Sequence, residues 1–280
     1  MGELAQYLPL ILILLAVGGV SGLSAGLFGI GGGSVMVPAL FFAFNVLGVS
    51  DDVLMHCAVA TSSAIIIVNA ARSVSSHHQR GAVDWDLLWP KQIWQSYALW
   101  IGIGSFLAAL WIAPRMSGQV LTVLFAGVAS LVALQFIFGR PDWKLRDDVP
   151  GGVARPVVGG GVGVLSALMG IGGGSLTVPL MSMCNIPIHR AVGTASGFGF
   201  AIALPATLGF IISGWNIAGR PAFSFGYVNA LGFALIAATA FVAIPLGTHL
   251  AHSLSQKRLK LVFGICLLLV AINMARKALY

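Results

Sequence analysis

Two short stretches of this chain combine residue types and spacing that suggest chemistry. Gly29–Ser34 reads GIGGGS, and Gly170–Ser175 reads GIGGGS again. Each copy is followed by three residues and a proline, Pro38 and Pro179. Gly31, Gly32 and Gly33, and in the second copy Gly172, Gly173 and Gly174, place no side chain between the backbone and a partner. Successive exposed N–H groups in such a turn form an anion-binding nest. Ser34 and Ser175 stand where an N-cap belongs. Each proline then falls at the fourth helical position, in a first turn whose N–H groups have no intrahelical acceptor. Each copy therefore reads as a glycine-rich turn feeding the positive end of a helix. The same glycines also suit tight helix packing with no ligand, and both readings stand.

A second matched pair follows. His56–Ala64 reads HCAVATSSA and His189–Gly197 reads HRAVGTASG, which pairs Thr61 with Thr194, Ser63 with Ser196, and His56 with His189. Hydroxyls on an apolar helix bond their own backbone or line a polar path for a substrate. The two histidines either cap a helix near an interface or couple a proton to transport. No Ser-His-Asp set, HExxH or paired-cysteine spacing occurs, so no catalytic residue, metal ligand or cofactor is expected. All eight acids lie outside the uninterrupted apolar runs, which leaves a carboxylate relay without a seat.

These residues must be held by membrane elements. The 280-residue chain is 58% hydrophobic and 8% charged, whereas a soluble domain carries about 25% charge. Only a bilayer can solvate so much apolar surface. The formal charge of +7 is spread between apolar runs, so it marks topology rather than a nucleic-acid partner. Ten apolar segments can be drawn: 7–28, 34–47, 53–74, 87–113 and 118–138, then 153–169, 175–183, 188–212, 223–250 and 259–275. The second and seventh are too short to span upright, and read as re-entrant or half-helices. The first run has no basic residue before it, so it reads as retained rather than as a cleaved signal. Cys57, Cys184 and Cys266 read as buried, inert thiols. Trp85, Trp89 and Trp94 read as an interfacial belt.

The charged stretch 139–150 holds Arg140, Asp142, Lys144, Arg146, Asp147 and Asp148 and divides the chain nearly in half. The expected fold is all-α and integral to the membrane. It comprises a first repeat over 1–139, a charged cytoplasmic linker over 140–152 and a second repeat over 153–280. Each repeat would cross the membrane an odd number of times, three or five, so the second must be inverted. Arg72, Arg80, Lys91, Arg140, Lys144, Arg146, Arg155, Arg190, Lys257, Arg258 and Lys260 then share one side, against Arg115, Arg220, Arg276 and Lys277 on the other. That asymmetry makes the first side cytoplasmic and places both termini outside.

Taken together, GIGGGSVMVP and GIGGGSLTVP, with AVATSS and AVGTAS downstream, make the chain resemble the TauE/SafE sulfite exporter family over essentially its whole length. The resemblance implies a secondary transporter in the bacterial inner membrane for sulfite, sulfoacetate or a related organosulfonate, working by alternating access. Its partners would be a small anionic substrate and lipid. A homo-oligomer, a different small anion, and a non-transporting scaffold or assembly role are all left open.

Overall fold

A computed structural model describes residues 2–29, 31–139, 147–253 and 256–279. Ile30 and linker residues Arg140, Asp142, Lys144 and Arg146 lie outside the described residues, as does the side chain of Cys266. An apolar chain in lipid must satisfy its backbone internally, and this one does so with helices. The first half contains α1 (Gly2–Phe28), α2 (Gly33–Val46), α3 (Asp51–His78), the one-turn α4 (Trp85–Leu88), α5 (Tyr97–Leu107) and α6 (Gly118–Phe138). A π turn and a 3-10 turn continue α5 to Arg115. The second half contains α7 (Ala154–Met169), α8 (Gly174–Met183), α9 (Ile188–Ser213), α10 (Ala230–Ser253) and α11 (Gln256–Leu279).

Among the described residues, six helical stretches are long and apolar enough to cross a membrane: 8–28, 51–78, 97–115, 118–138, 188–213 and 230–251. The chain is an all-α integral membrane protein. With 14 residues, α2 reaches about 21 Å, and α8 with 10 residues reaches about 15 Å. Both fall short of the roughly 30 Å hydrocarbon core, so the second and seventh segments are half-helices.

Two apolar runs do not form single helices. The run 87–113 is broken: α4 ends at Leu88, a 3-10 turn covers Ile93–Gln95, and α5 begins only at Tyr97. The run 223–250 opens with a hairpin, β1 (Ser224–Phe225) paired antiparallel with β2 (Val228–Asn229), before α10. The breaks fall at matching places in the two halves. Pro90 interrupts the first, and Gly226, at φ 57°, turns the second.

Helices pair across the halves. α1 packs on α10 and α7 on α5, while α3 packs on α9 and α6 on α11. Glycines set how closely these pairs approach. A Cβ on Gly18, Gly22 or Gly26 of α1 would stand 2.5, 2.4 or 2.3 Å from the carbonyl oxygens of Ile236, Ala240 and Ile244. On the matching pair, a Cβ on Gly163 of α7 would stand 2.1 Å from the Ile101 carbonyl oxygen of α5. Small residues spaced four apart let backbones touch, which drives helix association where no hydrophobic effect operates. α3 runs through the middle, and nearly all of it is buried.

Candidate functional site

The two GIGGGS turns meet. A Cβ on Gly31 would lie 3.4 Å from Gly172 Cα, and one on Gly33 would lie 2.2 Å from the Gly170 carbonyl oxygen. Gly31 and Gly32 adopt the left-handed backbone, φ 71° and 79°, which glycine alone adopts cheaply. The copies differ in conformation. Gly170 is left-handed at φ 60°, but Gly173 is right-handed at φ −51°.

Ser34 and Ser175 are not N-caps. The caps are Gly32 and Gly173, and neither makes a side-chain bond. α2 and α8 start one residue before the serines, because the glycine backbone can enter the helix directly. The serines therefore sit in the first helical turn. Pro38 and Pro179 move with them, from the fourth to the sixth residue of their helices. At that place a proline removes a helical bond, the one that would reach the carbonyl of Ser34 or Ser175. Both hydroxyls are 2% exposed, and Oγ of each has no hydrogen-bond partner. A buried hydroxyl left unpaired costs about 1–3 kcal/mol. The chain bears that cost twice, at matched positions.

α3 tethers both turns. Ser62 Oγ donates to the Gly170 carbonyl at 2.8 Å, and Asn69 Nδ2 to the Gly31 carbonyl at 3.0 Å. Ser73 Oγ donates to Ala25 O at 3.1 Å, and His77 Nε2 bonds Gly26 O at 3.1 Å. Ser62, Ser73 and His77 satisfy carbonyls at the C-terminal ends of α1 and α7, where helix dipoles are negative, and Asn69 holds the turn itself. The positive ends of α2 and α8 lie here: Val35 and Met36 bond Gly32 O, Ser175 N–H bonds Gly172 O at 3.4 Å, and Leu176 and Thr177 bond Gly173 O. Two positive helix ends thus converge beside two free hydroxyls. Among the named site residues there is no Lys or Arg. Sequence reasoning missed Asn69, Ser73 and His77, and it singled out Ser62 only as one of the hydroxyls of the second block. With Ser62 they stand seven, four and four residues apart, a polar stripe at helical period on one face of α3, and that signal was available.

The matched hydroxyls downstream have structural partners. Thr61 Oγ1 accepts from the backbone N–H of Asn229 at 2.9 Å, and Thr194 Oγ1 from that of Asp84 at 2.9 Å. Ser63 Oγ donates to Val59 O within its own helix. Ser196 Oγ contacts both Val192 O, at 3.1 Å, and Ser73 Oγ, at 2.9 Å. Thr61 and Thr194 are therefore latches between halves, and Ser63 is spent on its own helix. Of the matched hydroxyls only Ser196 reaches the turns, through Ser73 and beside Gly29. The histidines part company. His56 is buried, donates through Nε2 to Ala113 O at 3.0 Å and stacks on Tyr227, whereas His189 is exposed. His56 pins the Ala113 carbonyl in the 3-10 turn that ends the α5 extension.

A groove of about 740 Å3 lies away from the turns, between α5 and α9, with Val74, Leu88, Phe106 and Phe200 in its wall. Its lining is apolar, so it suits acyl chains and not an anion.

Sequence comparison agrees with this architecture. The family model described as sulfite exporter TauE/SafE matches residues 14–274. A "probable membrane transporter protein" of Haemophilus influenzae is 32% identical over 271 residues, covering 95% of this chain and 98% of its own. Proteins with the same description from Methanocaldococcus jannaschii and Bacillus subtilis are 28% and 24% identical, over 92% and 96% of this chain and 93% and 98% of their own. No solved structure matches the chain significantly. With its doubled turn, half-helices and end-to-end match, the chain belongs to the sulfite exporter TauE/SafE family.

Proposed function

We propose that this protein is a secondary transporter, not an enzyme. It moves a small sulfur-containing anion, such as sulfite, sulfoacetate or a related organosulfonate, across a bacterial inner membrane by alternating access. Membrane transport is what the names of the relatives describe. The observation that carries the reading is the pair of unpartnered hydroxyls, Ser34 and Ser175, at the converging starts of α2 and α8. Each helix start carries about +0.5 of an elementary charge. Bringing two together in low dielectric is unfavourable unless an anion sits with them. In this reading the halves, 1–139 and 153–280, are inverted repeats joined by a cytoplasmic linker, and the bundle built on α1 with α10 rocks against the one built on α5 with α7.

The experiment is uptake into proteoliposomes of sulfite, sulfate, thiosulfate, sulfoacetate and taurine, offered singly. At least one sulfur oxyanion should accumulate above protein-free vesicles. The double variant Ser34→Ala, Ser175→Ala should lower that flux at least tenfold while eluting as a monodisperse protein. Unchanged flux in a folded double variant would leave the close glycine contacts as packing alone, and no flux of any panel member would favour a scaffold.

A further inference from the structure

We infer that the paired turns take their oxyanion in a singly protonated, singly charged form, with Asn69 accepting a hydrogen bond from its O–H. The inference rests on the anion site proposed above and specifies its ligand. Asn69 is 0% exposed. Its Nδ2 donates to the Gly31 carbonyl at 3.0 Å, and a carbonyl can only accept, so the amide orientation is fixed by its partner. Oδ1 is then an acceptor shut away from solvent, and it has no partner. Because Nδ2 holds Gly31, Oδ1 of the same amide stands beside the turn. Ser34 and Ser175 add two free hydroxyls. The complement of this set is a ligand that accepts from the two hydroxyls and also donates once. Hydrogen sulfite does both. A sulfonate, or an oxyanion stripped of its proton, would leave Asn69 Oδ1 unpaired.

Charge points the same way. Among the described residues, the cations on the surrounding helices are engaged elsewhere or sit at helix ends. Arg72 lies over the Phe241 ring and Arg155 over the Tyr97 ring, and Arg190 pairs with Asp84. His77 bonds Gly26 O, His56 bonds Ala113 O, and His189 lies at the exposed start of α9. Asp51 and Asp52 open α3, far from Asn69. Arg115 ends the α5 extension and His249 lies near the end of α10. Helix ends and hydroxyls therefore carry the stabilisation alone. The desolvation cost of an ion grows with the square of its charge, so a dianion costs roughly fourfold more than a monoanion here.

The mirror position sharpens the stoichiometry. The register that pairs His56 with His189 pairs Asn69 with Ile202, whose Cδ1 would meet a Cβ on Gly173 at 3.1 Å. Among the described residues the mirrored positions 69 and 202 therefore supply one such acceptor, not two, and the site takes one proton per anion. That proton travels on the substrate, so no carboxylate relay is required.

The test is sulfite flux into proteoliposomes, corrected for protein-free vesicles, at several pH values spanning the second ionisation of sulfurous acid. With total sulfite adjusted to hold the monoanion constant, flux should be flat; with the dianion held constant, it should rise as pH falls. Methanesulfonate, a monoanion with no proton to give, should move at least tenfold more slowly than sulfite. Asn69→Ile should reduce that sulfite-to-methanesulfonate ratio at least tenfold, a change that general loss of folding does not produce. Should Asn69→Ile misfold, the near-isosteric Asn69→Asp should lose sulfite flux at neutral pH and regain it in acid. Flux that follows the dianion, or a selectivity ratio unmoved by Asn69→Ile, overturns the protonated-ligand inference and leaves the anion site standing. Sulfite flux that is indifferent to the Ser34→Ala, Ser175→Ala change removes the anion site, and with it this inference.

Discussion

Ser62 and Ser63 are neighbours on α3 with unlike duties. Ser62 crosses to the other half and holds the Gly170 carbonyl, while Ser63 bonds back to Val59 O one turn earlier. Ser62→Ala should therefore leave a buried carbonyl unpaired and destabilise the fold by about 1–3 kcal/mol. Ser63→Ala removes only a local bond and should stay within about 0.5 kcal/mol. Thermal unfolding of the two variants in one detergent compares them directly, and equal shifts would contradict the assignment. The residue types at the turns were legible from the doubled GIGGGS, and so was the mirrored pairing of hydroxyls. Their partners were not. Thr61 meets Asn229 and Ser62 meets Gly170 across more than a hundred residues, and no local pattern encodes such a pair. The N-cap assignment failed for a different reason. Serine is the better cap by propensity, but the left-handed Gly32 already closes the turn and starts α2 one residue sooner.

At the scale of elements, each half carries one interruption between its long central helix and the next span. In the first half Asp84 closes the break. Its carboxylate accepts from Leu87 N–H at 3.3 Å, and its own N–H goes to Thr194. In the second half Asn229 does the same, accepting from Gly232 N–H at 2.8 Å and donating to Thr61. Each latch joins a connector of one half to the central helix of the other. Only the first adds an ion pair, Asp84 with Arg190 at 3.1 Å. The half-helices were legible from segment length, whereas these breaks were hidden inside apolar runs because Trp, Leu and Phe mask a turn that Pro90 and Gly226 signal weakly. The glycines of α1 offer a sharper test of packing. Gly22 faces the α10 backbone, and Gly19 has open space around it. Gly22→Leu should separate α1 from α10 and abolish a monodisperse protein in detergent gel filtration. Gly19→Leu should elute unchanged, and failure of both would mean that α1 tolerates no added bulk on any face.

For the whole molecule, the remaining question is how the chain lies in the membrane. The expectation rests on basic residues, which the cytoplasmic side retains during insertion. Eleven of the fifteen Lys and Arg fall on the side of the linker when the halves are inverted, and four on the other. The doubled motif is what suggests a two-repeat plan, and the helix pairs α1 with α10 and α5 with α7 hold corresponding places in the two halves. Sidedness is independent of that packing, because the same bundle could insert either way up. Asp147 is exposed and lies within the charged stretch, so it reports the linker's side. In a variant with Cys57, Cys184 and Cys266 replaced, Asp147→Cys should resist a membrane-impermeant maleimide in intact cells and react once the cells are opened. A cysteine placed after Tyr280 should react in intact cells. The two sites lie on opposite sides only if the second half crosses an odd number of times. Reaction at both sites from outside would therefore remove the inversion, while exchange of the two results would keep the inversion and reverse the orientation.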